Sequence, residues 1–262
     1  MHPPPRKPSS FESLDRRMRV YETAHDHCVL PGVHIVARID GRSFSHLTRD
    51  VMAITEPYDP RLRDAMVTAL THLMRCGFST LYGYTQSDEI SLLLRRDEAA
   101  FGRKERKLVS VLAGEASASF SLALGVHGAF DARVCQLPRD EDVVDYFRWR
   151  QEDAHRNALN GHCYWLLRSQ GLDDVTATKR LQGVNVAARN ELLFQHGVNF
   201  NELPAWQRRG VGARWVETRE EAVDPRSGAP VTATRRALAV LDALPMRDDY
   251  DAMIREIVGA QR

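Results

Sequence analysis

The sequence has few cysteines, no long apolar run and almost no net charge, and each of these absences excludes a class of protein. The four cysteines lie far apart without paired spacing, which argues against a disulfide framework and a zinc site and fits a reducing cytoplasm. No uninterrupted apolar stretch reaches the length of a membrane span, and no apolar segment near the N-terminus forms a secretory signal. We therefore expect a cytoplasmic protein without membrane contact.

Charge is balanced, with 36 Lys and Arg against 35 Asp and Glu and a formal net charge of +1. Any binding to nucleic acid must then depend on local basic patches, such as the segment 103–107, because there is no global positive field. At 262 residues and 43% hydrophobic, the chain can bury one substantial core. It is either one large domain or a catalytic domain with a helical extension.

Two adjacent carboxylates, Asp88 and Glu89, interrupt an apolar strand pair predicted at 81–94. Acidic side chains disfavour strands and burial, so this pair needs a compensating partner such as a divalent cation. A second β-rich run at 33–39 ends in Asp40 and Gly41. If the two elements pair in one sheet, their acids meet at one edge.

Clustered carboxylates are typical of magnesium-dependent phosphoryl chemistry, in which two ions about 4 Å apart serve the attacking and leaving oxygens. Gly41 lets the backbone come close, so its carbonyl is a further possible ligand. The alternative is that Asp40 begins an ordinary turn and that Asp88 and Glu89 form a solvated hairpin tip. Neighbouring strand residues point in opposite directions, so periodicity does not decide between Asp88 and Glu89; we expect Asp88 to bind the metal.

The N-terminal half has an alternating helix and strand pattern that predicts a compact α/β sandwich. The predicted elements are helix 11–22, strand 33–39, helix 62–74, strands within 81–94, a helix from Phe101 to about Leu124, and strand 132–135. In the helix that opens at Phe101, Lys104 and Lys107 share one side near an N-terminus that favours anions. These two lysines could hold a triphosphate.

Beyond residue 140 the pattern is mainly helical. The stretch 143–167 is too long for an ordinary single helix, and Gly161 is expected to bend it. Shorter helices follow at 176–181 and 190–194, and a hairpin is predicted around the turn 224–228. We therefore divide the chain into a catalytic domain, residues 1–140, and a helical extension with a hairpin, residues 141–262.

Three motifs resemble, in order and spacing, the hallmarks of the tRNA-His guanylyltransferase family and its bacterial guanylyltransferase-like relatives. They are Arg38-Ile39-Asp40-Gly41-Arg42-Ser43-Phe44, Gln86-Ser87-Asp88-Glu89-Ile90-Ser91 and Trp149-Arg150-Gln151-Glu152-Asp153-Ala154-His155-Arg156-Asn157. The resemblance extends from about residue 11 to 235. The resemblance is more specific than a match to a single motif, because three motifs occur in the same order and spacing over most of the chain.

The resemblance implies an α/β (α+β) fold, with a polymerase-like or cyclase-like palm of antiparallel sheet and packed helices and a mainly helical C-terminal part with a β-hairpin. It implies an enzyme that adds nucleotides to the 5′ end of tRNA, opposite to the usual direction of polymerisation. ATP or GTP first activates the 5′ phosphate, and the 3′-hydroxyl of an incoming nucleoside triphosphate then attacks it. The resemblance also implies a homotetramer.

Site residues follow from the same resemblance. Asp40, the Gly41 carbonyl and Asp88 would hold two Mg2+ ions, with Glu89 in support. Nucleotide contacts are expected from Arg42, Ser43, Phe44, Ser87, Lys104 and Lys107. Contacts to the tRNA end or to the activated intermediate are expected from Arg150, His155 and Asn157.

The chain departs from the eukaryotic pattern at several positions. The eukaryotic His-Ile-Asn-Asn-Leu-Tyr-Asn is His155-Arg156-Asn157-Ala158-Leu159-Asn160-Gly161 here, a frequent histidine is Ser45, and a frequent lysine is Glu56. These changes favour template-dependent repair of tRNA 5′ ends over strict tRNA-His guanylylation. Two alternatives remain: another palm enzyme such as a nucleotidyl cyclase, and a non-catalytic RNA-binding relative.

Overall fold

A six-stranded sheet forms the centre of the computed structural model, which describes residues 10–54, 56–223 and 229–260. The strands are β1 His34–Arg42, β2 Thr80–Gln86, β3 Glu89–Leu94, β4 Ala129–Leu137, β5 Val211–Val223 and β6 Pro230–Leu241. The helices are α1 Ser10–Thr23, α2 Phe44–His46, α3 Pro60–Leu73, α4 Glu105–Leu124, α5 Asp140–Ser169, α6 Asp174–Leu181, α7 Val186–Phe194, α8 Ala205–Arg209 and α9 Asp248–Gly259. The palm-like α/β fold expected from the sequence is confirmed.

Every neighbouring pair in the sheet is antiparallel, in the order β4-β1-β3-β2-β5-β6. The register places Asp40 of β1 opposite Glu89 of β3. β2 and β3 form the predicted hairpin, with Gln86 opposite Glu89 and a two-residue connection between them. The carboxylate-bearing ends of β1 and of this hairpin therefore lie side by side, as the sequence predicted.

β1 alternates between two cores on opposite faces of the sheet. Ile35 and Ile39 are fully buried in the cluster under α3 and α4, and Val36 is buried in the cluster under α5 and α9. His34 lies on the second face, where its Nε2 is 2.9 Å from Oδ1 of Asp140 at the start of α5. Asp40 shares that more polar face, in agreement with the period-two pattern.

Helix α5 is one uninterrupted 30-residue helix, which continues through Gly161. The reason is tertiary packing, since α5 buries side chains along its whole length, from Val143 to Leu167. Its first half packs with α9 against the sheet, and its second half packs with α6 and α7 around a separate cluster containing Phe200. This packing outweighs the local weakness of a glycine.

The C-terminal hairpin extends the central sheet, because β5 pairs with β2 and β6 completes the edge. Its predicted turn at 224–228 lies outside the described residues. Sequence analysis missed α9, which seals the sheet through the fully buried Tyr250 and Ile254. The hydroxyls of Tyr82 and Tyr250 are 3.1 Å apart across this contact.

Helix α4 begins at Glu105, four residues later than predicted. Phe101 and Arg103 have positive φ values of 54° and 58°, which are incompatible with a right-handed helix. Buried Arg103 instead donates hydrogen bonds to backbone carbonyls of two earlier segments, namely those of Val29, Leu30, Val33, Arg96 and Glu98. Arg103 is therefore a structural residue.

Among the helices in the described ranges, α4 alone has the length and apolar composition that a membrane crossing requires. One face of α4 is part of the protein core. Its residues Leu108, Leu112, Ala116 and Phe120 recur every four positions and are fully buried. They pack toward β1 and β4 and against α3. This regular stripe is the signature of a helix that covers a sheet.

Phe44 belongs to the core, so its ring is not available for the nucleotide contact that the motif predicted. Its side chain is 4% exposed, with ring centroids 5.1 Å from Phe120 and 5.0 Å from Phe130. The ring covers Gly41 so closely that a Cβ there would lie 2.4 Å from it. Gly41 is thus required by this packing, which anchors the end of β1.

We expect Phe44→Ala to lower the free energy of unfolding by about 3–5 kcal/mol, because it leaves a cavity between α4 and β4. Phe11→Ala is the matched control, since Phe11 is 72% exposed and its loss should cost less than about 0.5 kcal/mol. Chemical denaturation of both variants measures the difference. Equal stability of the two would contradict the assignment of Phe44 to the core.

Candidate active site

Asp40, Asp88 and Glu89 converge where β1 ends beside the β2–β3 connection. The pairing of Asp40 with Glu89 brings the two strands together, and the Gly41 N–H donates to the Asp88 carbonyl at 2.9 Å. The backbone therefore holds the acidic hairpin against the last residues of β1. The convergence predicted from the sequence is present.

Ser87 forms the tip of the hairpin in an unfavourable backbone conformation, with φ at 55°. Three other non-glycine residues near the site also have positive φ, namely Ser43, Ala53 and Tyr58. Such conformations are uncommon for residues with a side chain and often occur at functional sites, where the surrounding structure maintains them. The Ser87 side chain is exposed, next to the carboxyl of Asp88.

Glu89 is neutralised by two arginines. Arg150 of α5 donates to both of its carboxylate oxygens, at 2.7 and 2.8 Å, and Arg38 of β1 lies 2.5 Å from one of them. Burial raises the pKa of Glu89, while the two guanidiniums act in the opposite direction. Glu89 thus ties α5 to the hairpin as a positioning residue, which fits its predicted supporting role.

The negative charges of Asp40 and Asp88 are less fully compensated than that of Glu89. Asp40 Oδ2 lies 3.1 Å from Arg38 and 3.6 Å from Arg133, but Arg38 is shared with Glu89. Within the described ranges no lysine or arginine is at ion-pair distance from Asp88. Burial is the main cause that raises the pKa of Asp88, and the nearby negative charge of Asp40 adds to it. A cation between these two acids would relieve both effects.

The donor set of this pair fits magnesium. Within the described parts of the chain, no group of three or more His, Cys, Asp and Glu side chains is arranged to hold a metal. Mg2+ does not need such a cage, since it binds through one or two carboxylates and completes its shell with water and substrate phosphates. Asp40 and Asp88 supply those carboxylates, and the Gly41 carbonyl remains a predicted further ligand.

A groove of about 900 Å³ opens directly in front of these acids. Among the predicted residues, it is lined by Asp40, Ser87, Asp88, Glu89, Arg150 and Asn157. Arg42 and Ser43 are exposed but do not line it. Sequence reasoning missed several further lining residues on α5, namely Asp153, Gly161, Tyr164, Trp165 and Arg168. Together with Arg150 and Asn157 they are spaced three or four positions apart, except for the adjacent pair Tyr164 and Trp165. Helical spacing from Arg150 was the signal that could have identified them.

His155, predicted to contact the tRNA end, does not line the groove. It packs against Phe200 with ring centroids 5.2 Å apart, and its Nδ1 is buried without a hydrogen-bond partner in the described structure. Burial is the main cause that lowers its pKa. His155 follows Arg150 by five residues, about 140° around the helix, so the two point to different sides.

Lys104 and Lys107, predicted to contact the triphosphate, lie at the opposite end of the sheet from the carboxylates of the same chain. Lys104 Nζ pairs with Asp26 at 2.7 Å. The backbone of Lys104 also forms an isolated antiparallel bridge with that of Cys28, which precedes β1. Phe120, near Gly41, follows Lys104 by sixteen residues, which corresponds to about 24 Å along α4. Neither lysine can therefore reach a phosphate bound at Asp40 of the same chain.

A palm-like antiparallel sheet with acidic side chains converging beside an open groove defines the class of palm-type nucleotidyltransferases. Comparison with known proteins is specific within this class. Residues 15–138 match the sequence profile described as tRNAHis guanylyltransferase, and residues 141–243 match the one described as Thg1 C terminal domain.

Relatives with similar sequences agree. A probable tRNA(His) guanylyltransferase of Drosophila melanogaster is 36% identical over 71% of this chain and 68% of its own length. A probable tRNA(His) guanylyltransferase of Mus musculus is 30% identical over 88% of this chain and 79% of its own. The chain belongs to the tRNA-His guanylyltransferase family.

Solved structures of the family share the fold. A bacterial tRNA(His) guanylyltransferase-like protein in complex with ATP superimposes with a TM-score of 0.72 at 25% identity, covering 94% of this chain and 99% of that one. The tRNA(His) guanylyltransferase of Saccharomyces cerevisiae gives 0.67 at 25% identity, covering 74% and 90%. The match to the bacterial protein thus includes almost all of both chains.

We expect Asp88→Asn to raise the thermal unfolding midpoint of the metal-free protein at neutral pH. Because folding raises the pKa of Asp88, its ionised form destabilises the folded state above that pKa, and this cost disappears as the pH falls through it. The advantage of the asparagine should therefore shrink in acid. Wild type should gain stability from added Mg2+, and Asp88→Asn should not.

Thermal unfolding with and without Mg2+, repeated from neutral to acidic pH, measures these differences. Asp131→Asn is the matched control, since Asp131 lies opposite Asp40 on β4 but is exposed and outside the groove. An equal response of wild type and Asp88→Asn to Mg2+ would exclude Asp88 as a ligand.

Proposed function

We propose that this chain is a magnesium-dependent nucleotidyltransferase that adds nucleotides to the 5′ end of tRNA in the 3′–5′ direction. The observation that carries the proposal is the pair Asp40 and Asp88, two incompletely compensated acids at the head of a groove large enough for a nucleotide and an RNA end. Relatives solved in complex with ATP and with GTP support these as its substrates.

The residues divide into three roles. Asp40 and Asp88 would hold Mg2+, which when bound neutralises phosphate charge and lowers the pKa of an attacking hydroxyl. Arg38 and Arg150 hold Glu89 in place, so that the hairpin keeps its position beside β1. The exposed hydroxyl of Ser87 stands at the hairpin tip, where it can donate to a phosphate oxygen.

The reaction requires two substitutions at phosphorus. The 5′-terminal phosphate of the RNA first attacks the α-phosphorus of ATP or GTP, which releases pyrophosphate and gives an activated end. The 3′-hydroxyl of the next nucleoside triphosphate then attacks the 5′ phosphorus of the RNA and displaces the nucleoside monophosphate. Both steps develop charge on phosphate oxygens beside Asp40 and Asp88, which explains the need for cations there.

We propose repair of tRNA 5′ ends in the cytoplasm as the cellular role. The support is the departure of residues 155–161 from the eukaryotic motif, together with the nearly complete overlap with the bacterial relative. Asn157 lines the groove, where its amide donates to Asp153 at 3.3 Å. Arg150 is committed to Glu89, so we assign it the positioning of the site and leave Asn157 to contact the RNA end.

We further propose that the enzyme works as a homotetramer. Lys104 and Lys107 lie too far from Asp40 to contact a triphosphate within one chain, yet both are partly exposed. In an oligomer they can contact the triphosphate bound by a second copy of the chain. The assembly would then complete each site with positive charge that one protomer does not bring to it.

Asp40→Ala should reduce nucleotide addition about 100-fold or more, because a metal ion contributes several kcal/mol to transition-state stabilisation. The assay uses labelled GTP or ATP, Mg2+ and a 5′-phosphorylated tRNA that lacks its first nucleotide. Asp131→Ala should retain wild-type activity. Formation of cyclic nucleotide without RNA extension, or full activity in Asp40→Ala, would overturn the proposed function.

Mixed oligomers test the shared site. Asp40→Ala and the double variant Lys104→Ala/Lys107→Ala should each be inactive, and refolding them together should restore part of the activity, because some sites then combine intact acids with intact lysines. A mixture of Asp40→Ala with Asp88→Ala should stay inactive, since both changes affect the same half of the site. Full activity of the lysine variant alone would disprove the shared site.

A further inference from the structure

The groove continues far beyond the carboxylates along one face of α5. Arg150 and Asp153 line it beside Glu89, and Tyr164, Trp165 and Arg168 line its other end. Trp165 follows Arg150 by fifteen residues, which corresponds to about 22 Å along the helix. At about 3.4 Å per stacked base, this length accommodates roughly six nucleotides of one strand. The groove is therefore longer than a single bound nucleotide requires.

The far end combines an aromatic surface with two arginines, a set that we call the distal platform: Arg49, Tyr164, Trp165 and Arg168. Tyr164 and Trp165 lie with ring centroids 5.7 Å apart and planes at 80°. Tyr164 packs against the helical core, whereas Trp165 is partly exposed and packs against none of the three buried clusters. An indole left on a groove wall offers a face for a base to stack on.

Charge at the distal platform is balanced. Arg49 pairs with Asp50 at 2.9 Å, and Arg168 pairs with Asp174 at 2.9 Å. The Tyr164 hydroxyl also donates to Asp174, at 3.3 Å. A triphosphate needs an excess of positive charge, which these pairs do not provide. The platform therefore suits a base with at most one phosphate, as in an RNA strand.

We propose that the distal platform binds an unpaired base of the substrate RNA, in the single-stranded 3′ overhang that faces the reacting 5′ end. This inference rests on the proposed function. In this arrangement the duplex ends with its 5′ phosphate at Asp40 and Asp88, and the unpaired opposite strand continues along α5 to the distal platform. Unpaired bases are free to stack on aromatic side chains, whereas paired bases are not.

Equilibrium binding separates this inference from the catalytic proposal. Fluorescence anisotropy without nucleotide would compare two 5′-phosphorylated stem-loop RNAs, one with a 3′ overhang and one blunt. Trp165→Ala should weaken binding of the overhang RNA about 5- to 100-fold, as expected for loss of one stacked base, and leave the blunt RNA unchanged. Trp165→Phe should retain most of the affinity. Phe194→Ala, which removes an exposed aromatic ring on α7, should change neither RNA.

Two results would overturn the assignment. One is an equal effect, or no effect, of Trp165→Ala on the two RNAs. The other is a rise only in the KM for the nucleoside triphosphate in the extension assay, which would make the platform a nucleotide site. If Trp165→Ala fails to fold, wild-type protein still decides: it must bind the overhang RNA at least about fivefold more tightly than the blunt one. Failure of wild type to extend either RNA would count against the proposed function alone.

Discussion

The ion pair between Glu89 and Arg150 is the interaction on which the site depends. Both side chains are nearly buried, with exposed fractions of 12% and 10%, and the guanidinium binds the carboxylate through two hydrogen bonds. Removing either partner would leave a nearly buried charge unpaired and would strongly destabilise the folded state. The pair therefore fixes α5 against the β2–β3 hairpin and makes one face of α5 a wall of the groove. It also removes Glu89 from competition for metal, so Asp40 and Asp88 remain for the cation.

Much of this arrangement could be predicted from the sequence, because it depends on short-range rules. Alternation along β1 places Asp40 on the polar face, and the interruption between residues 86 and 90 marks the hairpin that carries Asp88. Because β1 and β3 pair, the acids at their adjoining ends lie close together. An α/β sandwich with an acidic edge follows from these facts before any family is considered, and the resemblance added the palm architecture, the reaction and the RNA substrate.

The rest depends on packing between distant segments. Phe44 stands inside a motif from which the resemblance predicted nucleotide contacts, yet its ring fills the space between α4 and β4. His155 belongs to the same motif as Arg150 but lies on another side of the helix, which helical phase alone could have indicated. The remoteness of Lys104 could not be predicted, since it depends on where α4 begins, and the strained turn at Phe101 and Arg103 sets that start. The length of the groove could not be predicted either, because it depends on α5 continuing without interruption from Arg150 to Arg168.

The account rests on a cation held between Asp40 and Asp88, and a crystal structure of the protein grown with Mn2+ and GTP would test this most directly. Anomalous scattering locates Mn2+ without reference to the model of the protein. We predict a metal bound to carboxylate oxygens of both Asp40 and Asp88 at about 2.1 Å, with Glu89 still held by Arg150. Manganese bound at Glu89 or Asp153, or no metal near Asp88 when GTP is bound, would contradict the central claim.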